Sequence, residues 1–233
     1  MDDAKRVKEN YKISGPRKFI AQRMTDSLKN YPQGTGSTYM PVDNLLLLKD
    51  KLKKENSNVS MTSLFVKVVS EALKKHPLIN SALINNEDFY IYDSINIGVG
   101  IGLDQGIMMV VIKEAQSKNI YEISDELQDM ISKLKKKKLS MDRMLGSTFT
   151  VSNMGMLGVE QVTPFLNPPE TGILAIGETK KQFVVGEDNS PVVSNMSCFS
   201  ITVNHAAVDG LHGGLFLLTL KDILKNPELY MGL

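Results

Sequence analysis

The chain has 233 residues, a net charge of +1, 42% hydrophobic residues and 23% charged residues. A chain of this length hides roughly 70–75% of its unfolded surface, enough for a real core, and its near-neutral balance gives no electrostatic reason for nucleic acid or an anionic membrane as partner. One cysteine, Cys198, rules out an internal disulfide and fits a reducing compartment. Residues 1–10 are charged rather than apolar, and no run approaches the roughly 18 apolar residues of a membrane span, so a soluble, cytoplasmic, mixed α/β protein is expected.

Helix and strand signals alternate along the chain. Gly15-Pro16 opens a helix on which Ile20, Met24 and Leu28 fall four apart. Thr38 to Met40 reads as a strand. Asp43 is expected to cap a helix through about Lys54, and Thr62 a third, whose stripe of Leu64, Phe65, Val68, Val69, Ala72 and Leu73 ends at His76-Pro77. Strands follow near 88–92 and 95–101; in the second, Asn96, Gly98, Gly100 and Gly102 line one face, leaving room for a backbone or ligand. Met108 to Ile112 is a continuous apolar run, as in a strand buried on both faces. Ile123, Leu127, Met130, Ile131 and Leu134 define a long helix. Strands return at 147–152, 172–176, 183–185 and 198–203, and a last helix spans about 211–224. No repeat or linker-like tract interrupts the pattern, so residues 1–233 are read as one domain.

Several short signals have plain structural readings. Lys135 to Lys138 suits the solvated C-terminal turn of a helix, with phosphate binding as the alternative. Gly98-x-Gly100-x-Gly102 lies inside a strand and lacks the spacing of a dinucleotide fingerprint. No acidic cluster has calcium-loop spacing and a lone cysteine makes no thiolate site, so no metal is expected. Cys198 fits an apolar strand better than a nucleophile. His76 reads as a charge at a helix end, and His212 as structural.

The stretch that can carry chemistry is Thr202-Val203-Asn204-His205-Ala206-Ala207-Val208-Asp209-Gly210. A β-branched strand ends at a polar pair, and a glycine then opens a helix. A histidine at a strand end is well placed to face a pocket, although many such histidines are structural. Asp209, four residues on, can come near the imidazole or its backbone.

This stretch resembles the His-x-x-x-Asp-Gly motif of two related groups, the dihydrolipoamide acyltransferases of 2-oxoacid or acetoin dehydrogenase complexes and the chloramphenicol acetyltransferases. Four further segments are similar to the first group: Gly15 to Met24, Ser94 to Ile101, Phe149-Thr150-Val151-Ser152-Asn153-Met154-Gly155 through Gly158, and Asn167-Pro168-Pro169-Glu170 through Gly177. The resemblance runs in order along nearly the whole chain.

The resemblance implies a coenzyme A-dependent acyltransferase fold, with a mixed β-sheet flanked by helices, built as a trimer that joins into cubic or dodecahedral cages. It implies transfer of an acyl group, acetyl in this reading, between coenzyme A and the thiol of dihydrolipoamide. His205 would be the general base, since an imidazole titrates near neutrality. Ser152 would donate to the oxyanion. Asp209 would orient the histidine loop through an ion pair with Arg17, and Asn204 would support the histidine. No cofactor enters the chemistry: coenzyme A is a substrate, and the lipoyl group arrives on another domain. Asn204 and Ala206 stand where the family usually has Asp and Arg, and Gly106 to Val111 lacks its usual proline. No lipoyl or peripheral-subunit-binding domain is expected in 1–233, which suggests an excised core or a free-standing enzyme. The alternatives are an acetyltransferase for a small-molecule acceptor and an inactive structural core. The C-terminal Leu229 to Leu233 is expected to join trimers.

Overall fold

Apolar stripes in the sequence become helices laid on one face of a seven-stranded mixed sheet. The structure, a computed structural model, describes residues 6–85, 87–103, 106–186 and 188–233. In chain order its main elements are α1 (Gly15–Asn30), β1 (Gln33–Pro41), α2 (Asp43–Leu52), α3 (Met61–Lys74), β2 (Ser81–Ile84), β3 (Asp88–Ile91), β4 (Ile97–Leu103), β5 (Gly106–Ile112), α4 (Ile120–Lys135), β6 (Phe149–Asn153), β7 (Gly172–Ile176), β8 (Lys180–Val185), β9 (Pro191–Asn204) and α5 (Gly210–Lys225). The sheet runs β1-β9-β7-β6-β4-β5, with β8 also paired to β9; β2 and β3 form a separate hairpin. β4, β6 and β7 are parallel to one another, and the remaining pairings are antiparallel.

Phe149, Val151, Ile97, Val99, Leu174, Ile176, Phe199, Ile201 and Val203 are buried in one apolar cluster with Leu64, Phe65, Val68 and Val69 of α3, Ile123 and Leu127 of α4, and Phe216 and Leu220 of α5. Period-two alternation sends the intervening strand residues to the other face. That face is small and polar: Thr35 pairs with Thr202 (2.7 Å), and Ser37 donates to Ser200 (2.9 Å).

Two expected caps are replaced. Ser60, not Thr62, caps α3 in a reciprocal box with Ser63, and Thr62 instead accepts a hydrogen bond from Asn153 (3.0 Å). Asp43 is the first residue of α2 rather than its cap; its carboxylate accepts from Ser194 and from the backbone and side chain of Asn195, tying α2 to β9. Met108 to Ile112 is a strand, but it lies in β5 at the sheet edge, and Ile107 just before it is exposed. The strand near residue 198 is much longer than its apolar run, because β8 pairs with its first half, Pro191 to Met196, while β1 and β7 pair with the rest. Lys135 to Lys138 are exposed at the end of α4, as a solvated helix terminus should be. Among the described residues no helix is long and apolar enough to cross a membrane.

Candidate active site

β9 ends at Asn204, and the next residue, His205, turns away from the sheet. Its backbone N–H donates to Pro32 O (2.7 Å), and its ring lies over β1, where a Cβ on Gly34 would come within 2.9 Å of the imidazole Cδ2. Gly34 is therefore required by close approach. The imidazole is exposed, consistent with a group that must meet a substrate. Asn204 is 1% exposed; its Oδ1 accepts from Ala206 N (3.1 Å), while its Nδ2 has no hydrogen-bond partner among the described residues.

Ser152 sits on β6, half-buried on the polar face of the sheet. Its hydroxyl is 4.0 Å from where a Cβ on Gly100 would lie, so that glycine keeps space open beside the serine. At Gly98 the glycine face is already filled: Met109 Sδ would be 2.7 Å, and Thr150 Oγ1 3.2 Å, from an added Cβ. Only part of that face can admit a ligand.

The structure does not bring Ser152 and His205 together within one chain. Ser152 is level with Ala175 of β7, and Ala175 with Ser200 of β9. His205 is five residues beyond Ser200. Five residues at ~3.3 Å and two strand spacings at ~4.8 Å separate the two backbones by roughly 19 Å.

Asp209 stands at the N-cap of α5 but makes no side-chain cap hydrogen bond, and its carboxylate is exposed. The expected Arg17–Asp209 ion pair is not formed. Arg17 Nη2 instead lies 2.9 Å from where a Cβ on Gly106 would be, at the start of β5. β5 is four strands from β9, roughly 19 Å across the sheet.

Two residues not singled out from the sequence tie α1 to the site region. Arg23 Nε donates to Asn167 Oδ1 (2.7 Å), and its Nη2 donates to Pro168 O. Next to this clamp, Glu170 is 2% exposed and accepts hydrogen bonds from Ser147 Oγ (2.5 Å), Thr150 Oγ1 (2.6 Å) and Asn167 Nδ2 (2.7 Å). Burial pushes its carboxyl up to about 7, against those three hydrogen bonds and the Arg23 charge, which pull it down. The signal available in the sequence was a charged residue inside the matching Asn167–Gly177 segment.

Glu170 gives a pH prediction. Its folded value lies above the ordinary 4.5, so between these two pH values the folded chain keeps a proton that the unfolded chain has released. Stability should therefore fall as pH rises from about 4.5 to about 7, by on the order of 3 kcal/mol, and then level off. Urea midpoints across this range should show less of that fall in Glu170→Gln. Parallel curves would remove Glu170 as their cause.

The other histidines are accounted for locally. His76 is not a helix-end charge: it is half-buried, shares a 2.7 Å hydrogen bond with Thr219, and its pKa is lowered by burial, then by Lys75 and His212. His212 is half-buried with Nδ1 unpartnered among the described residues. Cys198 is buried, and burial raises its thiol pKa. Among the described residues no cluster of histidine, cysteine and carboxylate could hold a metal.

The chain is 32% identical to a dihydrolipoyllysine-residue succinyltransferase component of the 2-oxoglutarate dehydrogenase complex of Rickettsia typhi, over 94% of the chain and 56% of that protein. It is 31% identical to the dihydrolipoyllysine-residue acetyltransferase component of the acetoin cleaving system of Bacillus subtilis, over 97% of the chain and 58% of that protein. It thus spans somewhat more than half the length of these relatives. Among solved structures, a probable dihydrolipoamide acetyltransferase from Listeria monocytogenes superposes with a TM-score of 0.88 at 30% identity, covering 93% of this chain and 94% of that one. Two more share the fold. One is a dihydrolipoamide acetyltransferase from Azotobacter vinelandii (TM-score 0.90, 24% identity, 95% and 93% covered), studied for the catalytic roles of a serine, a histidine and an asparagine. The other is the cubic core of a pyruvate dehydrogenase multienzyme complex (0.89, 23%, 95% and 94%). The family described as 2-oxoacid dehydrogenases acyltransferase (catalytic domain) matches residues 5–232. With that match spanning nearly the whole chain, the protein belongs to the family of 2-oxoacid dehydrogenase acyltransferase catalytic domains.

Proposed function

We propose that the chain moves an acetyl group between coenzyme A and the thiol of dihydrolipoamide, with His205 as general base and Ser152 as oxyanion donor. The observation that carries this reading is the exposed His205 at the end of β9, inside an intact His-x-x-x-Asp-Gly stretch of a chain matched to the family over 5–232. His205 takes the thiol proton as sulfur attacks the thioester carbonyl, and the same imidazole returns it to the departing thiolate. A hydroxyl at Ser152 stabilises the charge that builds on the carbonyl oxygen. Asp209 shapes the turn between β9 and α5, and Asn204 anchors that turn through Ala206 N. Arg17 lies at the β4–β5 end of the sheet, away from this turn. Coenzyme A is a substrate, and the lipoyl group comes on another domain. The chain acts as a single catalytic domain.

The roughly 19 Å between Ser152 and His205 in one chain favours a site completed by a second copy. A trimer meets that need, and exposed apolar side chains at Val7, Tyr11 and Phe19 before and within α1 are consistent with a buried interface.

The test uses acetyl-coenzyme A or succinyl-coenzyme A with free dihydrolipoamide, following thioester formation. The expected result is transfer from acetyl-coenzyme A. Faster transfer from succinyl-coenzyme A would replace the acetyl reading. Asn204 and Ala206, beside the base, favour a second reading in which the acceptor is a small molecule. Acetylation of chloramphenicol in place of dihydrolipoamide would select it, and no transfer to either would leave an inactive structural core.

For assembly, the C-terminal segment is only partly free. Met231 is buried, and its carbonyl accepts from Ile120 N (3.0 Å), whereas Leu229 and Leu233 are exposed. The double variant Leu229→Asp and Leu233→Asp should leave trimers but abolish larger particles. Light scattering that finds the unaltered chain to be only a trimer would count against a cage.

A further inference from the structure

Glu170 takes no part in the reaction proposed above, yet it sits where both of its groups are anchored. One carboxylate oxygen accepts from Thr150, two residues before Ser152 on the same strand and the same face of the sheet. The other accepts from Ser147, just before β6, and from Asn167. Asn167 is in turn held by Arg23 of α1. Along the backbone, the next residue, Thr171, donates to Ser81 O (3.0 Å), and its carbonyl accepts from Asn204 N (2.9 Å), immediately before His205. One side chain thus fixes the approach to the serine, and the peptide beside it fixes the approach to the histidine.

A carboxyl removed from water is costly unless its hydrogen bonds are satisfied. Here three donors converge on it from β6, the segment before β6 and the 167–170 loop. A buried, fully bonded group of this kind rigidifies what it joins. Acyl transfer is sensitive to such placement, since a displacement of about 1 Å can cost about 10²-fold in rate.

We propose that Glu170 is a positioning residue for acyl transfer, holding Ser152 through Thr150 and His205 through Thr171 and Asn204, and so keeping the two groups of one chain in fixed relation. In a trimer these groups serve two different sites, so this single carboxyl sets the geometry of both. The inference rests on the reading of Ser152 and His205 as the reacting groups.

The experiment compares Glu170→Ala, Glu170→Gln and Thr150→Val with Leu45→Ala, a buried change in α2 that lowers stability without touching this network. Two readouts are taken on the assembled protein: acetyl transfer kinetics, and amide hydrogen exchange of peptides covering 149–153 and 202–206. Glu170→Ala should lower kcat by about 10- to 100-fold with little change in KM, and speed exchange in both segments. Glu170→Gln, which keeps the shape and most of the bonding, should restore most of kcat. Thr150→Val, which cuts only the link to β6, should lower kcat and speed exchange at 149–153 alone. It also carries the test should Glu170→Ala fail to fold. A kcat for Glu170→Ala equal to that of Leu45→Ala, or faster exchange confined to 167–171, overturns the proposal. If the unaltered protein transfers no acetyl group, the functional reading fails and exchange alone decides. Faster exchange in both segments beyond that of Leu45→Ala then supports the positioning role, and unchanged exchange overturns it.

Discussion

Replacing His205 with alanine is expected to lower acyl transfer by about 10²–10⁴-fold, the usual worth of a positioned general base, while the fold survives. Thiols are weak nucleophiles until their proton leaves, and Asp209, the other titratable residue in the turn from β9 to α5, is exposed and makes no cap hydrogen bond. The imidazole is exposed, so its removal opens no core cavity. The hydrogen bond that anchors the residue runs from its backbone N–H to Pro32 O and is indifferent to the side chain. The ring's contact is with Gly34, where truncation leaves space rather than strain. Melting temperature should therefore be nearly unchanged while kcat collapses. Turnover near that of the unaltered protein would falsify the assignment of His205 as base.

The second large effect is at Ser152. Alanine there should cost roughly 10²–10³-fold, the typical loss for one oxyanion donor. The more telling result comes from mixing. In one chain Ser152 and His205 are separated by the register Ser152–Ala175–Ser200 plus five residues, roughly 19 Å, far beyond hydrogen-bond reach. If the site is shared, the serine of one copy meets the histidine of the next. Denaturing Ser152→Ala and His205→Ala chains together and refolding them as mixed trimers should then regenerate some sites with both groups intact, alongside others lacking both. Activity should appear in the mixture and in neither parent. Mixed trimers, verified by mass tags, that gain nothing over the parents would return the site to a single chain.

Much of the architecture follows from local pattern. The stripe from Leu64 to Leu73 could bury itself only as a helix, and α3, α4 and α5 formed within a few residues of where their apolar periodicity places them. Gly172 to Ile176, apolar throughout, became β7, fully buried between neighbours. The order of the matching segments along the chain was enough to indicate the family. Cys198 and the lysine run behaved as their local composition implies.

What the sequence left undecided is what depends on partners far along the chain. Asp43 looks like a helix cap until β9 supplies Ser194 and Asn195, more than 150 residues away, as better donors. Arg17 and Arg23 are equivalent in one dimension; the helix sends the first to the β4–β5 end of the sheet and the second to the Asn167–Pro168 loop. Glu170 carries no local signal of burial, and only the meeting of β6, α1 and that loop takes it out of water. The distance between Ser152 and His205 is likewise invisible in sequence. It is fixed by which strands pair and in what register, and periodicity says which residues share a face, not which strands become neighbours. By itself the sequence determined the helices, the apolar strands and the family; the tertiary structure alone decided that the two groups expected to react stand roughly 19 Å apart on one sheet, because strand pairing is settled by long-range hydrogen bonds that no local pattern encodes.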